Sequence, residues 1–285
     1  MAAALALCTS AAAQNAGTAC AGTTDTQRAT WKTNALMLGV GHTSTLDTYL
    51  SPEHYRGADV RLMSHTRREK EKSAWISQLT HEAHAAYTDN RSGNGGEITA
   101  DYTFRYTLLH RWNTSIGSRP LRLMAGAAAA ADAGFTYNTR GTNNPANARL
   151  AVRIEPTIAV DLPVGRRSST HGTPVCPAET PMWPVVMHYE ASAPLAGLMF
   201  SPNYGQSYYE IFTRGNYDHN CVPTTIASTP SLRHMLTADI RIGRTTMRIG
   251  YLGTYEQTSV NRLKTHAYTH SLLIGLVRHF RTIKR

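Results

Sequence analysis

The stretch ARLAVRIEPTIAVDL, residues 148–162, decides the fold because its two faces differ so sharply. The even positions are Ala148, Leu150, Val152, Ile154, Pro156, Ile158, Val160 and Leu162, and the odd positions are Arg149, Ala151, Arg153, Glu155, Thr157, Ala159 and Asp161. Successive side chains of a β-strand point to opposite faces, so this stretch predicts a strand that is apolar on one face and charged on the other. Lipid outside and a polar interior within are the surroundings of a transmembrane β-barrel strand.

The same alternation recurs along the chain. It is clear in residues 97–112, 232–242, 245–257 and 266–280, and weaker in 31–40, 58–66, 74–88, 121–137 and 185–195. The total is about ten strands, many of them longer than the 5–6 residues typical of soluble sheets. The sequence therefore predicts an all-β protein, an antiparallel transmembrane β-barrel of about ten strands. A soluble sandwich or soluble barrel is the alternative, but neither would need such long strands.

Composition excludes two other classes. The 285 residues carry a net charge of +10 at a mean hydropathy of −0.34, and the basic residues are spread along the chain rather than massed in one patch. We therefore expect no nucleic acid partner. Beyond the N-terminus no run of about 18 apolar residues occurs, so a transmembrane helix is not expected.

The chain divides into three predicted parts. Residues 1–13 resemble a secretory signal peptide, residues 14–30 form a flexible lead-in, and residues 31–285 form a single barrel domain. The four cysteines (Cys8, Cys20, Cys176 and Cys221) show no metal-ligand spacing. Because Cys176 falls in an inner connection and Cys221 in an outer one, we expect no disulfide between them.

Connections between the strands alternate in length. The predicted outer loops are 41–57, 89–96, 138–147, 196–231 and 258–262, and the predicted inner turns are 67–73, 113–120, 163–184 and 243–244. Short inner turns and longer outer loops are typical of outer-membrane barrels. The Pro-rich segment 163–184 is the exception, because it is too long for a periplasmic turn.

Three outer loops share a composition that suits ligand binding. The predicted rim residues are Tyr87, Asp89, Asn90, Arg91, Asn94, Tyr137, Asn138, Arg140, Asn143, Asn144, Tyr208, Tyr209, Arg214, Asn216, Tyr217, Asp218 and His219. Asn offers paired donors and acceptors, and Arg binds carboxylate or phosphate in bidentate fashion, which suits glycan or lipopolysaccharide. The competing interpretation is that Asn, Gly and Asp serve the turns themselves.

A catalytic site is the second hypothesis for these loops. It would use Asp218 and His219 with Asp89, a set that resembles the acid/His sites of ten-stranded outer-membrane proteases and would make the chain a protease- or lipase-type hydrolase. Neighbouring residues of an extended chain point to different sides, so Asp218 and His219 are expected to form a poor dyad. His81 and His84 should likewise face opposite ways, and we expect no metal or cofactor.

The inward faces of the predicted strands carry both signs of charge. These positions are Glu97, Asp101, Arg105, Arg149, Arg153, Glu155, Asp161, Asp239, Arg241, Arg248 and Glu256. A barrel of about eight strands has an interior just filled by side chains, and one of ten strands is only slightly wider. We therefore predict closed ion-pair networks and no open diffusion pore.

The loop motifs SPNYGQSYYEIFTRGNYDHN, YTDNRSGN and YNTRGTNNP, with the late IGYLGTYEQ, carry a family resemblance. They resemble a family of uncharacterised outer-membrane barrel proteins of Gram-negative gut anaerobes, over nearly the whole chain after Trp31. The resemblance implies a bacterial outer-membrane location reached through the periplasm. It also implies outer-membrane lipid, lipopolysaccharide and the barrel-insertion machinery as partners, and no particular activity. One departure is that Phe280 is followed by five further residues, so the usual C-terminal aromatic is displaced.

Overall fold

The computed structural model describes residues 28–117, 119–141, 144–164, 185–242 and 245–284. Twelve strands and one helical turn occupy them: β1 (Arg28–Asp47), β2 (Tyr55–Lys70), β3 (Trp75–Asn90), β4 (Gly96–Ile116), β5 (Arg119–Asn138), β6 (Ala146–Pro163), β7 (Val185–Ser192), β8 (Ala196–Phe200), α1 (Tyr208–Phe212), β9 (Cys221–Thr225), β10 (Leu232–Ile242), β11 (Thr245–Val260) and β12 (Leu263–Lys284). The predicted signal peptide and most of the lead-in lie outside this part of the chain. Residues 28–30 belong to β1 rather than to the lead-in.

The sheet closes on itself into a barrel. Each strand pairs antiparallel with its neighbour, and the first and last strands pair from Arg28 opposite Lys284 to Asp47 opposite Thr265. Strands β7 and β8 both pair with β6, so together they occupy one position in the wall. Strands β9 and β10 pair with β8 and β7 and together occupy the next position, so twelve strands fill ten positions. The predicted antiparallel barrel of about ten strands is confirmed.

The wall is interrupted at two neighbouring positions. Between β7 and β8, residues 193–195 face only two residues of β6, because the register changes from Ser192 opposite Thr157 to Ala196 opposite Ile154. Pro194 lies in this bulge, where it has no N–H to give to the ladder. The next wall position is interrupted by residues 226–231, between β9 and β10.

Most of the predicted outer loops are longer than the observed ones. The observed outer connections are 48–54, 91–95, 139–145, 201–220 and 261–262. In particular, residues 41–47 extend β1, and the predicted loop 196–231 contains β8, α1 and β9. The physical reason is strand length. Most strands have 16–22 residues, whereas 9–11 tilted residues cross a bilayer, so the strands continue past the membrane.

The inner end of the barrel carries four connections between strands. The inner connections fall at 71–74, 117–118, 164–184 and 243–244; residue 118, most of the third and all of the fourth lie outside the described residues, as does Cys176. Cys221, at the start of β9, is an exposed free thiol.

The outer surface of the wall is an apolar belt. On β1 the outward Leu36, Leu38 and Val40 are 58%, 64% and 66% exposed, and Ile154 on β6 is 57% exposed. Exposing such a surface to water is unfavourable, whereas contact with lipid tails is not, because the tails are as apolar as these side chains. The barrel is therefore a transmembrane one.

Aromatic side chains border the belt at both ends. Trp75, Trp112 and Phe280 are exposed near the inner ends of their strands, and Tyr87 and Tyr137 near the outer ends. Amphipathic rings of this kind sit at the level of the lipid head groups.

Among the described residues no helix is long and apolar enough to cross a membrane.

Part of the barrel interior is packed with apolar side chains. Seven buried residues from β1, β2, β10, β11 and β12 form one cluster: Ala35, Met37, Met63, Met235, Leu252, Leu273 and Val277. A second cluster on the opposite wall joins Ile76, Leu109, Met124 and Ala159. Met fills irregular gaps because its side chain is flexible, so the first cluster obstructs the barrel near its middle, and the second lies nearer its inner end.

Buried ion pairs fill most of the remaining interior. They include Arg61–Glu82, Arg105–Glu155, Arg67–Asp161 at 2.8 Å, Arg149–Asp101 at 2.5 Å, Arg153–Asp132 at 2.8 Å, Arg233–Glu82 at 3.3 Å and Arg248–Asp239 at 2.5 Å. The predicted closing of the inward charges into networks is confirmed. Arg241 has the same inward parity on β10 as Arg233 and Asp239, and it is exposed because it lies near the inner end of that strand.

The blocked interior predicts that the protein conducts no steady porin-sized current. Planar-bilayer recording on the purified protein should show a baseline current across the voltages used for porins, with a general porin inserted as the positive control. A stable, large conductance from the wild-type chain would contradict this structure of the interior.

Neighbouring residues on β2 should differ strongly in their effect on stability. Met63 is fully buried in the apolar cluster, so Met63→Ala should lower the free energy of unfolding by about 2–5 kcal/mol. Leu62 faces the belt, and Leu62→Ala should cost less than about 1 kcal/mol because lipid refills the space. Reversible urea unfolding in lipid vesicles measures both. Equal losses would mean that the inside and outside of β2 are exchanged.

Candidate functional site

The outer mouth of the barrel is organised by asparagine side chains. Asn90, at the end of β3, accepts from the backbone N–H groups of Asn94 at 3.1 Å and Gly95 at 3.2 Å, and donates to Glu53 at 2.7 Å. Arg140, from the next outer turn, donates to Asn94 Oδ1 at 2.8 Å. These contacts hold three outer connections together. Asn90 and Asn94 thus hold the turns themselves, the use that the competing interpretation gives to Asn, and Arg140 joins two of the connections.

Asn138 ties the mouth together from within. Its side chain is buried and donates to Glu97 Oε1 at 3.1 Å and to the Tyr55 hydroxyl at 3.0 Å, while its Oδ1 accepts from the backbone N–H of Arg140. Glu97 also accepts from the Thr45 hydroxyl at 3.1 Å. Strands β1, β2, β4 and β5 are joined by this one set of hydrogen bonds.

Tyr208 joins the loop 201–220 to the two sides of the mouth. Its hydroxyl donates to Asn147 Oδ1 at 2.6 Å and accepts from the Ala148 N–H at 2.7 Å. The Asn147 amide in turn donates to Asp47 Oδ2 at 2.6 Å. Because β1 and β6 lie five wall positions apart in a ten-position barrel, the contact between Asp47 and Asn147 spans the mouth.

Tyr49 makes a second contact with the same loop. Its hydroxyl donates to the Gln206 carbonyl at 2.9 Å, and its ring meets the Tyr208 ring edge to face at 5.7 Å. Burial raises the pKa of Tyr208 to about 12; the Ala148 amide lowers it and the nearby Asp47 carboxylate raises it. Burial, followed by Tyr208 and Asp47, also raises the pKa of Tyr49. Both phenols therefore stay protonated and can donate at neutral pH.

The helical turn α1 has a complete capping box. The Ser207 hydroxyl accepts from the Glu210 N–H at 3.2 Å, and the Glu210 carboxylate accepts from the Ser207 N–H at 2.9 Å. The Tyr208 and Phe212 rings stack at 6.0 Å. This local order fixes which aromatic rings of the loop face outward.

The loop 201–220 exposes a group of aromatic rings. Tyr204, Tyr209, Phe212 and Tyr217 are each 60–72% exposed, and the Arg214 guanidinium lies 5.7 Å from the centre of the Tyr209 ring. We call these four rings with Arg214 the aromatic rim patch. The sequence analysis named Tyr209, Arg214 and Tyr217 as rim residues and did not name Tyr204 or Phe212.

The remaining predicted rim residues are scattered. Tyr87, Asp89 and Tyr137 face outward from the wall, Arg91 and Asn216 are exposed, and Asn144 is partly exposed. Asn143 lies outside the described residues. The prediction that these side chains bind a ligand together remains a prediction, and the structure separates them into several groups.

The predicted catalytic set does not share a cleft. Asp218 and His219 were expected to point to different sides, which is wrong: their side chains meet at 2.5 Å because His219 adopts a left-handed φ of 50°. Their side chains are 65% and 91% exposed, however. Asp89 lies on β3, on the opposite part of the wall from the loop that carries this pair. His81 and His84 face opposite ways as expected, towards Tyr102 outside and Asp101 inside.

A cavity lies beneath the mouth, and sequence reasoning missed it. It has a volume of about 110 Å³ and is bordered by inward threonines near the outer ends of the strands: Thr43, Thr45, Thr99, Thr103, Thr254, Thr258, Thr265 and Thr269. Arginine–carboxylate pairs and small or apolar residues, among them Ala151, Met199 and Ala267, also line it. Small inward residues at alternate positions were the available signal, since they leave space where the other strands carry long side chains.

Tyr208→Phe should loosen the loop over the mouth. The change removes the donor to Asn147 and leaves the Ala148 N–H without its acceptor, at a cost of about 1–3 kcal/mol. Hydrogen–deuterium exchange in residues 201–220 should rise. Tyr209→Phe is the matched control, because that ring is exposed, and it should leave exchange unchanged. Unchanged exchange in Tyr208→Phe would show that the hydrogen bonds of the Tyr208 hydroxyl do not hold the loop.

The same bridge should depend on pH at the alkaline end. The pKa of Tyr208 is raised from 10.0 to about 12, so the folded state holds this proton more tightly than the unfolded state. Its contribution to stability is complete below pH 10 and is lost as the pH rises through about 12. Loop exchange measured across this range should rise in the wild type and show a smaller rise in Tyr208→Phe.

Comparisons with solved structures return outer-membrane barrels at low similarity. They include the outer membrane protease OmpT from Escherichia coli, at 7% identity over 91% of this chain and 98% of that chain with a TM-score of 0.43. They also include the transport unit of the autotransporter AIDA-I from Escherichia coli, at 6% identity over 93% and 97% with a TM-score of 0.40. Neisserial surface protein A follows at 7% identity, 86% and 96% coverage and a TM-score of 0.32. These values are too low to transfer any activity.

A search of curated proteins found no match. The family comparison is decisive by contrast, since one family model matches residues 1–285. The expected membership of a family of unknown function is thereby confirmed. The chain belongs to the family described as "Protein of unknown function (DUF3316)".

Proposed function

We propose that this protein is an outer-membrane barrel that binds glycan or lipopolysaccharide at its outer rim and does not act as a pore. The observation that carries the proposal is the aromatic rim patch. Four exposed rings and Arg214 lie on one loop at the outer end, with Phe212 against Tyr217 and Arg214 against Tyr209, while the interior is obstructed. Large exposed apolar patches are uncommon on a water-facing surface unless they form a binding site.

The chemistry of the patch suits a saccharide that carries anionic groups. Flat amphipathic rings offer apolar area for the C–H faces of sugars and, in Tyr, a hydroxyl for hydrogen bonds. Arg214 can bind a phosphate or carboxylate in bidentate fashion. Lipopolysaccharide combines both features and lies beside any barrel in the outer leaflet, which makes it the first ligand to test.

Location and assembly follow from the same proposal. A closed barrel with an apolar belt fits the outer membrane, which is reached by export through the periplasm and by the barrel-insertion machinery. The predicted signal peptide agrees with this route. A hydrolase is not favoured, because the exposed Asp218–His219 pair has no cleft around it.

Removing the patch should weaken binding to lipopolysaccharide. The double variant Tyr209→Ala with Arg214→Ala should raise the Kd at least about tenfold, which corresponds to about 1.4 kcal/mol. Surface plasmon resonance on the full chain in nanodiscs, with purified lipopolysaccharide and its released polysaccharide as separate analytes, measures the change.

A matched control lies at the other end of the barrel. Phe280→Ala with Arg278→Ala also removes one exposed ring and one arginine, but from the inner end, and should leave the Kd unchanged. Equal loss in both variants, or no binding by the wild type, would overturn the proposed function.

A further inference from the structure

Every arginine that lines the cavity beneath the mouth is paired with a carboxylate. Five arginines line it, and each already has a carboxylate partner: Arg61 with Glu82, Arg105 with Glu155, Arg149 with Asp101, Arg153 with Asp132 and Arg233 with Glu82 and Glu190. A charged ligand would have to break one of these buried pairs, and breaking such a pair leaves an uncompensated charge. A hydroxyl can bind beside an intact pair, because it donates to the carboxylate and accepts from the guanidinium.

The walls of the cavity are both hydroxylated and apolar. Threonine hydroxyls offer donors and acceptors, and some already bond across strands, as Thr43 with Thr269 at 2.9 Å. The threonine methyl groups, Ala151, Ala267 and Met199 add apolar surface between them. A sugar ring has the matching pattern, with hydroxyls around its edge and C–H groups on its faces.

The size of the cavity limits the ligand to one ring. Pockets that hold drug-sized ligands measure about 300–1,000 Å³, whereas this cavity measures about 110 Å³. The buried Arg61–Glu82 and Arg233–Glu82 pairs line its inner side, and Met63 and Met235 of the apolar cluster lie two residues further inward on the same strands. A longer saccharide cannot continue through the barrel and would have to leave by the mouth.

The cavity lies directly under the contact that spans the mouth. Asp47 and Asn147 are each two residues beyond a lining residue on the same inward face, Thr45 on β1 and Arg149 on β6. The loop that carries the aromatic rim patch is bonded to this contact through Tyr208. A saccharide held at the patch therefore lies on the loop that covers the cavity, and its end can enter the cavity when this loop lifts.

We propose that this cavity binds a single neutral sugar ring, the terminal residue of the glycan that the rim holds. The inference rests on the proposed function for the identity of the longer ligand. The cavity itself recognises the ring through hydroxyl contacts with intact arginine–carboxylate pairs and threonines. Free monosaccharide carries the same chemistry and should occupy the same place.

The test uses the full chain in nanodiscs and saturation-transfer NMR with defined probes. The probes are glucose, galactose, mannose and N-acetylglucosamine as neutral rings, and glucuronate as the anionic ring of similar shape. At least one neutral ring should bind at least tenfold more tightly than glucuronate. It should also compete with part of the lipopolysaccharide signal. Binding without competition would place a free monosaccharide, not a chain end, in the cavity and would overturn that part of the inference.

Two variants place the bound ring in the cavity. Ala151→Leu with Ala267→Leu fills the space and should weaken the neutral sugar at least tenfold. Ala129→Leu, which enlarges a lipid-facing residue of β5, is the matched control and should change nothing. Thr254→Val keeps the volume but removes a hydroxyl, so it should weaken the sugar several-fold even if the double variant does not fold. Barrel folding of each variant is checked by its gel migration before and after boiling.

Failures of the two proposals can be told apart. If lipopolysaccharide binds but no neutral monosaccharide does, the cavity inference fails and the rim proposal stands. If lipopolysaccharide does not bind, the rim proposal fails, and neutral-ring binding that is lost in the filled variant still places a sugar in the cavity. Glucuronate binding more tightly than every neutral ring, or sugar binding unaffected by filling, would overturn the inference.

Discussion

The structure depends on the absence of water in the bilayer core. Every backbone N–H and C=O that faces lipid there must bond to a neighbouring strand, so the sheet has to close. The long ladder between β1 and β12 provides this closure. At Pro194, where a donor is missing, the flanking N–H groups of Ala193 and Leu195 bond to β6 at 3.3 Å and 2.9 Å, so the wall stays sealed around the bulge.

Closure of the wall then determines the interior. Alternate side chains must enter a space that ten strands make only slightly wider than a filled barrel. Burying single charges there would cost several kcal/mol each, which is why arginines and carboxylates occur in contact. Long paired side chains and the methionine cluster occupy most of the volume. Near the outer end, threonine and alanine stand among these pairs and leave space for a small ligand.

The sequence shows the wall far better than the site. Alternation in residues 148–162 predicts β6, which spans Ala146–Pro163, because that signal is local. Strands β8 and β9 were missed because five-residue segments among Tyr, Pro and Asn carry little periodicity. The cavity depends on which inward faces meet, as when Asp47 bonds Asn147 across 100 residues of sequence. Strand patterns do not contain that information.

Access to the cavity is governed by the hydrogen bonds that hold the loop 201–220 across the mouth. Three of them, from Tyr208 to Asn147, from Ala148 to Tyr208 and from Tyr49 to Gln206, must break for the loop to lift. At about 0.5–1.5 kcal/mol each, they place the open form roughly 1.5–4.5 kcal/mol above the closed form. A ligand that enters only the open form loses apparent affinity in proportion to that small population. The aromatic rim patch lies on the same loop, so a ligand that contacts the patch more strongly when the loop is lifted offsets this cost. Binding at the rim and binding in the cavity are then coupled in free energy.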